Sequence, residues 1–133
     1  EQKVETVSGW TTDKVDPGLF KVRATVKKVE DLSYVEAAIH QELARIAKDG
    51  VPNELLAEVV SHIRYSAAAN LATADNIAAT AAWYVSLTGE VDTLNQYMRL
   101  LEGLSVDDIK RVAEKYFQPQ NRTVVTLKPE VKS

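Results

Sequence analysis

The sequence contains no cysteine, five glycines and two histidines among its 133 residues. The absence of cysteine excludes disulfides, thiolate metal sites and a cysteine nucleophile. The absence of cysteine does not indicate a cellular compartment, because a cysteine-free chain is stable in reducing and oxidising surroundings alike. The glycines are scattered, so no glycine-rich loop is available to cradle a phosphate. These absences remove several common enzyme classes.

An excess of positive charge and long apolar runs are also lacking. The chain has 16 basic and 19 acidic residues, a net charge of −3, whereas a nucleic-acid-binding protein needs clustered Lys and Arg. No apolar run is long enough to span a bilayer, and the amino terminus shows no basic-then-apolar signal segment. The sequence therefore predicts no nucleic-acid partner and no membrane span. Its 45% hydrophobic and 26% charged residues are typical of a soluble globular domain.

The stretch "LFKVRATVK" alternates between apolar and polar residues and predicts a strand with one buried and one polar face. The apolar side carries Phe20, Val22, Ala24 and Val26, and the polar side carries Lys21, Arg23, Thr25 and Lys27. A turn is indicated before it by Asp16-Pro17-Gly18, since glycine permits a left-handed backbone. Upstream, "KVETVSGW" predicts a partner strand, so the pair forms a hairpin with a long loop.

From Lys28 onward the pattern indicates five helices. Ser33 with Glu36, and Ser105 with Asp108, have the spacing of capping boxes. Glycines at 50, 89 and 103 follow predicted helix ends. The third helix, roughly residues 75–87, is rich in alanine, which allows close helix approach, so we expect it to pack on more than one side. After the last helix, "NRTVVTLK" predicts a third strand before Pro129.

Strands segregated from a run of helices predict an α+β domain. We expect a small, mainly antiparallel sheet covered on one face by a layer of about five helices, with Val125 and Leu127 of the last strand under that layer. An open sheet edge exposes unpaired amides and carbonyls, so it predicts edge-to-edge pairing, including a homodimer. Because strand-like residues begin almost at once, we expect the chain to be one domain, residues 1–133, cut from a longer protein.

The stretch "EAAIHQEL" places Glu36 one helical turn before His40 and invites comparison with zinc peptidases. Such enzymes need two histidines one turn apart and a glutamate that handles the water proton. Neither HExxH nor its inverse HxxEH occurs in the chain, and His40 and His62 belong to different predicted helices. A solvated pair beside the apolar stripe is the simpler interpretation.

Glu54, Glu58 and His62 form a second candidate metal site, along one polar stripe of the next helix. They are spaced over two full turns, too far apart for one compact tetrahedral site, although a bridging pair is conceivable. Charged residues at this spacing usually mark a solvent face. The serines lack a Gly-x-Ser-x-Gly context, so no nucleophile is indicated either. No constellation of residues in this chain predicts an active site.

The chain as a whole is similar to the pitrilysin/insulinase family of zinc metallopeptidases, which includes bacterial zinc proteases and mitochondrial processing peptidases. The similarity is carried by "DPGLFKVRATV", by "EAAIHQELARIAKDGVPNELLAEV" and, most specifically, by "LEGLSVDDIKRVAEKYFQPQNRTVVTLKP". It covers about residues 8–130. Glu90 replaces the usual Asp of the family's Thr-Gly-Asp-like linker, and Pro52 replaces a hydroxyl cap.

The resemblance implies that the chain is the second, carboxy-terminal half of one family domain. The inverted HxxEH helix belongs to the first half, so no catalytic or metal residue carries over, and no cofactor is expected here. Zinc is expected in the missing half. The family's two-domain clamshell encloses peptides in a chamber, and the helix-free side of the sheet faces it. Lys21, Arg23 and Lys27 are therefore candidate chamber-lining residues; a merely solvated face is the alternative.

Two functions follow from the resemblance. The chain is either a non-catalytic, substrate-enclosing half-domain of a zinc endopeptidase, inactive alone, or part of a catalytically inactive homologue that acts as partner or scaffold. An unrelated helical interaction module is a third interpretation. Expected partners are the remainder of the parent chain and its peptide substrates. The bacterial periplasm, the cytoplasm and the mitochondrial matrix are all compatible with the sequence.

Overall fold

The computed structural model describes residues 3–12 and 14–128. Two strands come first, β1 (Val4–Trp10) and β2 (Lys21–Val26), joined by a long loop. Five α-helices follow within the described residues: α1 (Leu32–Asp49), α2 (Asn53–Asn70), α3 (Ala74–Thr88), α4 (Thr93–Glu102) and α5 (Val106–Tyr116). Single turns of 3₁₀ helix precede α1 and follow α5. The predicted α+β class and the five helices are confirmed.

The two strands form an antiparallel hairpin whose register sorts the side chains into two faces. Residues directly opposite each other in such a pair share a face. The apolar face pairs Gly9 with Val22 and Val7 with Ala24, while the polar face pairs Trp10 with Lys21, Ser8 with Arg23 and Thr6 with Thr25. The predicted division of β2 into an apolar and a polar side agrees with this register, but the apolar side is not buried as predicted: Val22 is 36% exposed, and Ala24 and Val26 are half-buried. A register shift between Val4 and Thr6 marks a bulge at Glu5.

Within the described residues, the most extensive packing between two helices joins α1 to α5. Three apolar side chains are buried in the described part of the chain: Ala113 of α5 is 2% exposed, Val35 of α1 7% and Leu101 of α4 8%. The carboxyl end of α1 meets the start of α5, because a Cβ on Gly50 would lie 3.0 Å from Cγ1 of Val106. Gly50 also has a φ of +75°, which L side chains rarely adopt. A glycine is therefore required at this crossing for two independent reasons.

An aromatic contact joins the sheet to this helix pair. The rings of Phe20, just before β2, and Phe117, just after α5, have centroids 5.1 Å apart and are tilted by 43°. Such tilted pairs contribute about 0.5–1.5 kcal/mol beyond the area that they bury. The Phe20 ring also covers Gly9 of β1, where an added Cβ would lie 3.5 Å from its Cζ atom. Helix α1 contacts β2 as well.

The start of α1 is held by an ion pair instead of the predicted capping box. Asp31 occupies the N-cap position, and neither Ser33 nor any other side chain makes a cap hydrogen bond there. Instead, Nζ of Lys3, at the foot of β1, donates to Oδ1 of Asp31 at 2.5 Å. This hydrogen bond raises the pKa of Lys3. The prediction failed because Ser33 is the second residue of the helix, two positions after the N-cap residue Asp31.

The predicted third strand is wrong in this structure. Residues 122–128 are not assigned to any strand, and the sheet of the described residues has two strands. Val125 and Leu127, expected beneath the helices, are 79% and 88% exposed. β-branched residues favour extended backbone, but they do not supply a partner strand. Pro129, expected to end this strand, lies outside the described residues.

Two further expectations need correction. Gly18 does not have a positive φ; the loop instead closes on Thr12, whose Oγ1 would lie 2.9 Å from a Cβ at position 18. Helix α3 has no buried residue, and Ile77 and Trp83 are each 52% exposed. Helix α3 contacts α4, so an alanine-rich sequence permits close packing but does not ensure that other elements cover the helix on more than one side.

The capping box at the start of α5 is confirmed. The Asp108 amide donates to Oγ of Ser105 at 3.2 Å, and the Ser105 amide donates to the Asp108 carboxylate at 3.2 Å. Arg111 forms an ion pair with the same carboxylate at 2.9 Å. The hydrogen bond from the Ser105 side chain, followed by that from Arg111, lowers the pKa of Asp108 from 3.8 to about 2.

We expect Ala113→Leu to destabilise the fold by about 1–3 kcal/mol, because three extra carbons must enter a filled α1–α5 contact. Val112, the preceding residue on α5, is 43% exposed and provides the matched control. Val112→Leu should change the free energy of unfolding by less than about 0.5 kcal/mol. Urea denaturation followed by circular dichroism measures both. Equal denaturation midpoints for the two variants would contradict this assignment of the core.

We also expect the pH dependence of stability to change in Asp108→Asn. The depressed pKa of Asp108 stabilises the folded state fully above pH 3.8, and this contribution is lost as the pH falls towards about 2. The wild type should therefore lose stability more steeply across that interval than Asp108→Asn. Asp107→Asn, in the same helical turn, should keep the wild-type slope because the Asp107 side chain accepts no hydrogen bond. Urea midpoints at several pH values test this, and parallel slopes for all three proteins would refute it.

Candidate functional site

The polar face of the hairpin brings cations, hydroxyls and an aromatic side chain together. Alternation along β2 directs Lys21 and Arg23 to this face, spaced by about 6.8 Å along the strand. Register then places Trp10 beside Lys21 and Ser8 beside Arg23. All four residues are exposed, with Trp10 retaining 39% of its surface. Lys27, exposed as well, follows one residue after β2 ends.

The cations of this face have no partners within the described part of the chain. The ion pairs found there use Lys3, Arg45, Arg64, Arg99 and Arg111. The side chains of Lys21, Arg23 and Lys27 form neither an ion pair nor a hydrogen bond with any described residue. Their charges are therefore available to a ligand. The net charge of the whole chain is −3, so this positive face is a local feature.

The other predicted candidates do not form a metal centre in the described residues, where no three His, Cys, Asp or Glu side chains cluster closely enough to hold an ion. Glu36 is exposed and His40 half-buried on α1. Glu54, Glu58 and His62 are all exposed along α2. The first and last of these are eight residues apart, so they are separated by about 12 Å along the helix axis.

Two open clefts lie on the helical side. A cleft of about 330 Å³ separates α2 from α3 and α4 and is lined by His62, Ser66, Asn70, Thr80 and Tyr97 among others. A second cleft of about 630 Å³ runs between α2 and α4, with the Arg64–Glu102 ion pair, 3.2 Å between Nη2 and Oε1, at its edge. Neither contains a pair of side chains arranged for acid–base or nucleophilic chemistry.

Trp10 and Ser8 were not recognised as site residues from the sequence. The sequence shows a hairpin, but the loop between its strands has ten residues in the structure, from 11 to 20. A loop of that length does not define the register as a two-residue turn would. Only the register places Trp10 beside Lys21, and no pattern in the sequence specifies that register.

Comparison with solved structures shows which fold the chain adopts. It superimposes with a TM-score of 0.79 on a crystal structure from Bordetella parapertussis described as the "Inactive Peptidase Domain of a Putative Zinc Protease". The match covers 98% of this chain and 71% of that one, at 20% sequence identity. The chain therefore has a zinc-protease-like peptidase-domain fold. No family model and no curated protein matches the sequence. None of the helices in residues 3–12 and 14–128 is long and apolar enough to cross a membrane.

We expect the chain to retain far less than one zinc ion after incubation with zinc sulfate and dialysis, because its histidines lie on separate helices. Elemental analysis of the dialysed protein measures the ratio, and His40→Ala and His62→Ala serve as comparisons. One tightly held zinc per chain that is lost in His62→Ala would overturn this expectation and assign a metal site to the polar stripe of α2.

Proposed function

We propose that this chain is a non-catalytic half-domain of a zinc-dependent endopeptidase of the pitrilysin/insulinase type, with a structural and substrate-enclosing role. The observation that carries the proposal is the superposition over 98% of the chain on a domain described as an inactive peptidase domain. The absence of an HxxEH or HExxH sequence is consistent with chemistry performed elsewhere in the parent protein. Zinc would then be held by the parent's other half.

The division of the hairpin into two unlike faces supports the enclosing role. Phe20 and Phe117 attach the apolar face to the helices, which leaves the opposite face free of helices. In the proposed parent this helix-free face looks into the peptide chamber, lined by Lys21, Arg23 and Lys27. Because their side chains have no partner in the described residues, they would give the chamber a basic local character. Substrates with acidic side chains would be favoured there.

The edges of the hairpin support a role as part of a larger assembly. The sheet of the described residues has only two strands, so each strand has an outer edge without a strand partner. Two-stranded sheets are marginal by themselves. We propose that the remainder of the parent chain extends this sheet. When that remainder is missing, the same edges would support pairing between two copies of this chain.

The proposal is tested in the full-length parent protein. We expect an HxxEH motif upstream of this domain and loss of peptidase activity when its glutamate is changed to glutamine. Lys21→Glu combined with Arg23→Glu should keep the activity on uncharged peptides and shift the preference from acidic towards basic peptides by about tenfold, since each reversed surface charge contributes up to about 1 kcal/mol.

Arg122→Glu combined with Lys128→Glu provides the matched control, because it reverses one exposed arginine and one exposed lysine after α5 that form no ion pair or hydrogen bond with any described residue. Its substrate profile should equal that of the wild type. A parent without HxxEH would refute the enzyme and leave the scaffold function. An active parent whose profile is unchanged by the hairpin variant would refute the chamber-lining role alone.

A further inference from the structure

The polar face of the hairpin carries an aromatic side chain and a hydroxyl group beside its positive charges. The cross-strand pair Trp10–Lys21 puts an indole next to an ammonium group, with side chains about 4.5–5.5 Å apart at Cβ. Arg23 lies one strand repeat further along, beside the hydroxyl of Ser8. Tryptophan and arginine are enriched among the residues that contribute most to the energy of protein recognition. Yet Trp10 remains 39% exposed.

The spacing of these groups matches an extended peptide. Side chains on one side of a strand-like peptide recur every two residues, about 6.8 Å apart, which equals the separation of Lys21 and Arg23 along β2. Two carboxylates at alternate positions of a peptide can therefore meet both cations together. Trp10 lies across the hairpin from Lys21, so its indole flanks the carboxylate that meets Lys21 and partly shields this ion pair from water.

We propose that Trp10, Lys21 and Arg23 form a docking face for an extended acidic peptide that carries two carboxylates at alternate positions. Docking on this face presupposes the substrate-enclosing role proposed above, and it names the class of substrate. A peptide is favoured over a nucleic acid because the chain is acidic overall, whereas nucleic-acid binding requires a broad basic surface.

Fluorescence of Trp10 provides a direct measurement in the 133-residue chain. The chain has two tryptophans, and Trp83→Phe leaves Trp10 as the sole indole. The probe is the capped peptide Ser-Ser-Asp-Ser-Asp-Ser. Two comparison peptides replace both Asp with Lys or place the two Asp side by side. We expect saturable binding of the probe, weaker binding of each comparison peptide, and loss of affinity as ionic strength rises from about 0.05 M to about 0.5 M.

Matched variants assign the binding to this face. Lys21→Glu with Arg23→Glu should weaken binding by about tenfold or more, and Arg122→Glu with Lys128→Glu should leave it within about twofold. Trp10→Ala should weaken binding in the presence of Trp83, read by isothermal calorimetry, while Trp10→Phe should retain most of it. Circular dichroism confirms that each variant is folded.

Several results would overturn the proposal. These are no saturable binding, equal binding of the side-by-side Asp peptide, or equal affinity for a single-stranded thymidine oligonucleotide, which would indicate a general polyanion surface. Because the isolated chain is used, these outcomes do not depend on the parent's activity. An inactive parent with intact peptide binding would refute the proposed peptidase and leave the docking face standing.

Discussion

The contact of α1 with α5 around Ala113 is the constraint on which the rest of the domain depends. It buries the most enclosed side chain of the described residues, 2% exposed, and forces a glycine at position 50. Phe117, immediately after α5, then receives Phe20 and thereby fixes the hairpin. Because the apolar face of the hairpin is turned towards these helices, its polar face is exposed to solvent. The orientation of the candidate site is thus a consequence of packing some distance from it.

Local patterns in the sequence predicted the elements of the fold well, because they depend on neighbouring residues. The alternation of β2 and the capping box of Ser105 and Asp108 are both found in the structure. Features that need a distant partner were predicted less well. Asp31, not Ser33, occupies the N-cap of α1 and pairs with Lys3, 28 positions away. Residues 122–128 have the composition of a strand without a strand beside them.

The residues of the candidate site likewise divide into those predicted from a local pattern and those that depend on a distant partner. Lys21, Arg23 and Lys27 were identified from their alternation, which is a property of one strand. Trp10 and Ser8 joined them only through the register of a hairpin with a long loop, which no local pattern specifies. For the carboxylates and the histidine of α2, a local pattern indicated a candidate site that the helix geometry excludes. Their stripe suggested ligands, but helix geometry spreads Glu54 and His62 too far apart for one ion.

The exposed extended segment after α5 has a consequence for the behaviour of the chain in concentrated solution. Its core, "TVVTL", combines β-branched residues with no charge, and Val125 and Leu127 are almost wholly in water. Such short segments nucleate fibrillar aggregates. Arg122 and Lys128 flank it directly, in the position of gatekeeper charges that oppose self-stacking by electrostatic repulsion. Colloidal stability should therefore depend on salt, since added ions screen the repulsion between these two cations in neighbouring molecules.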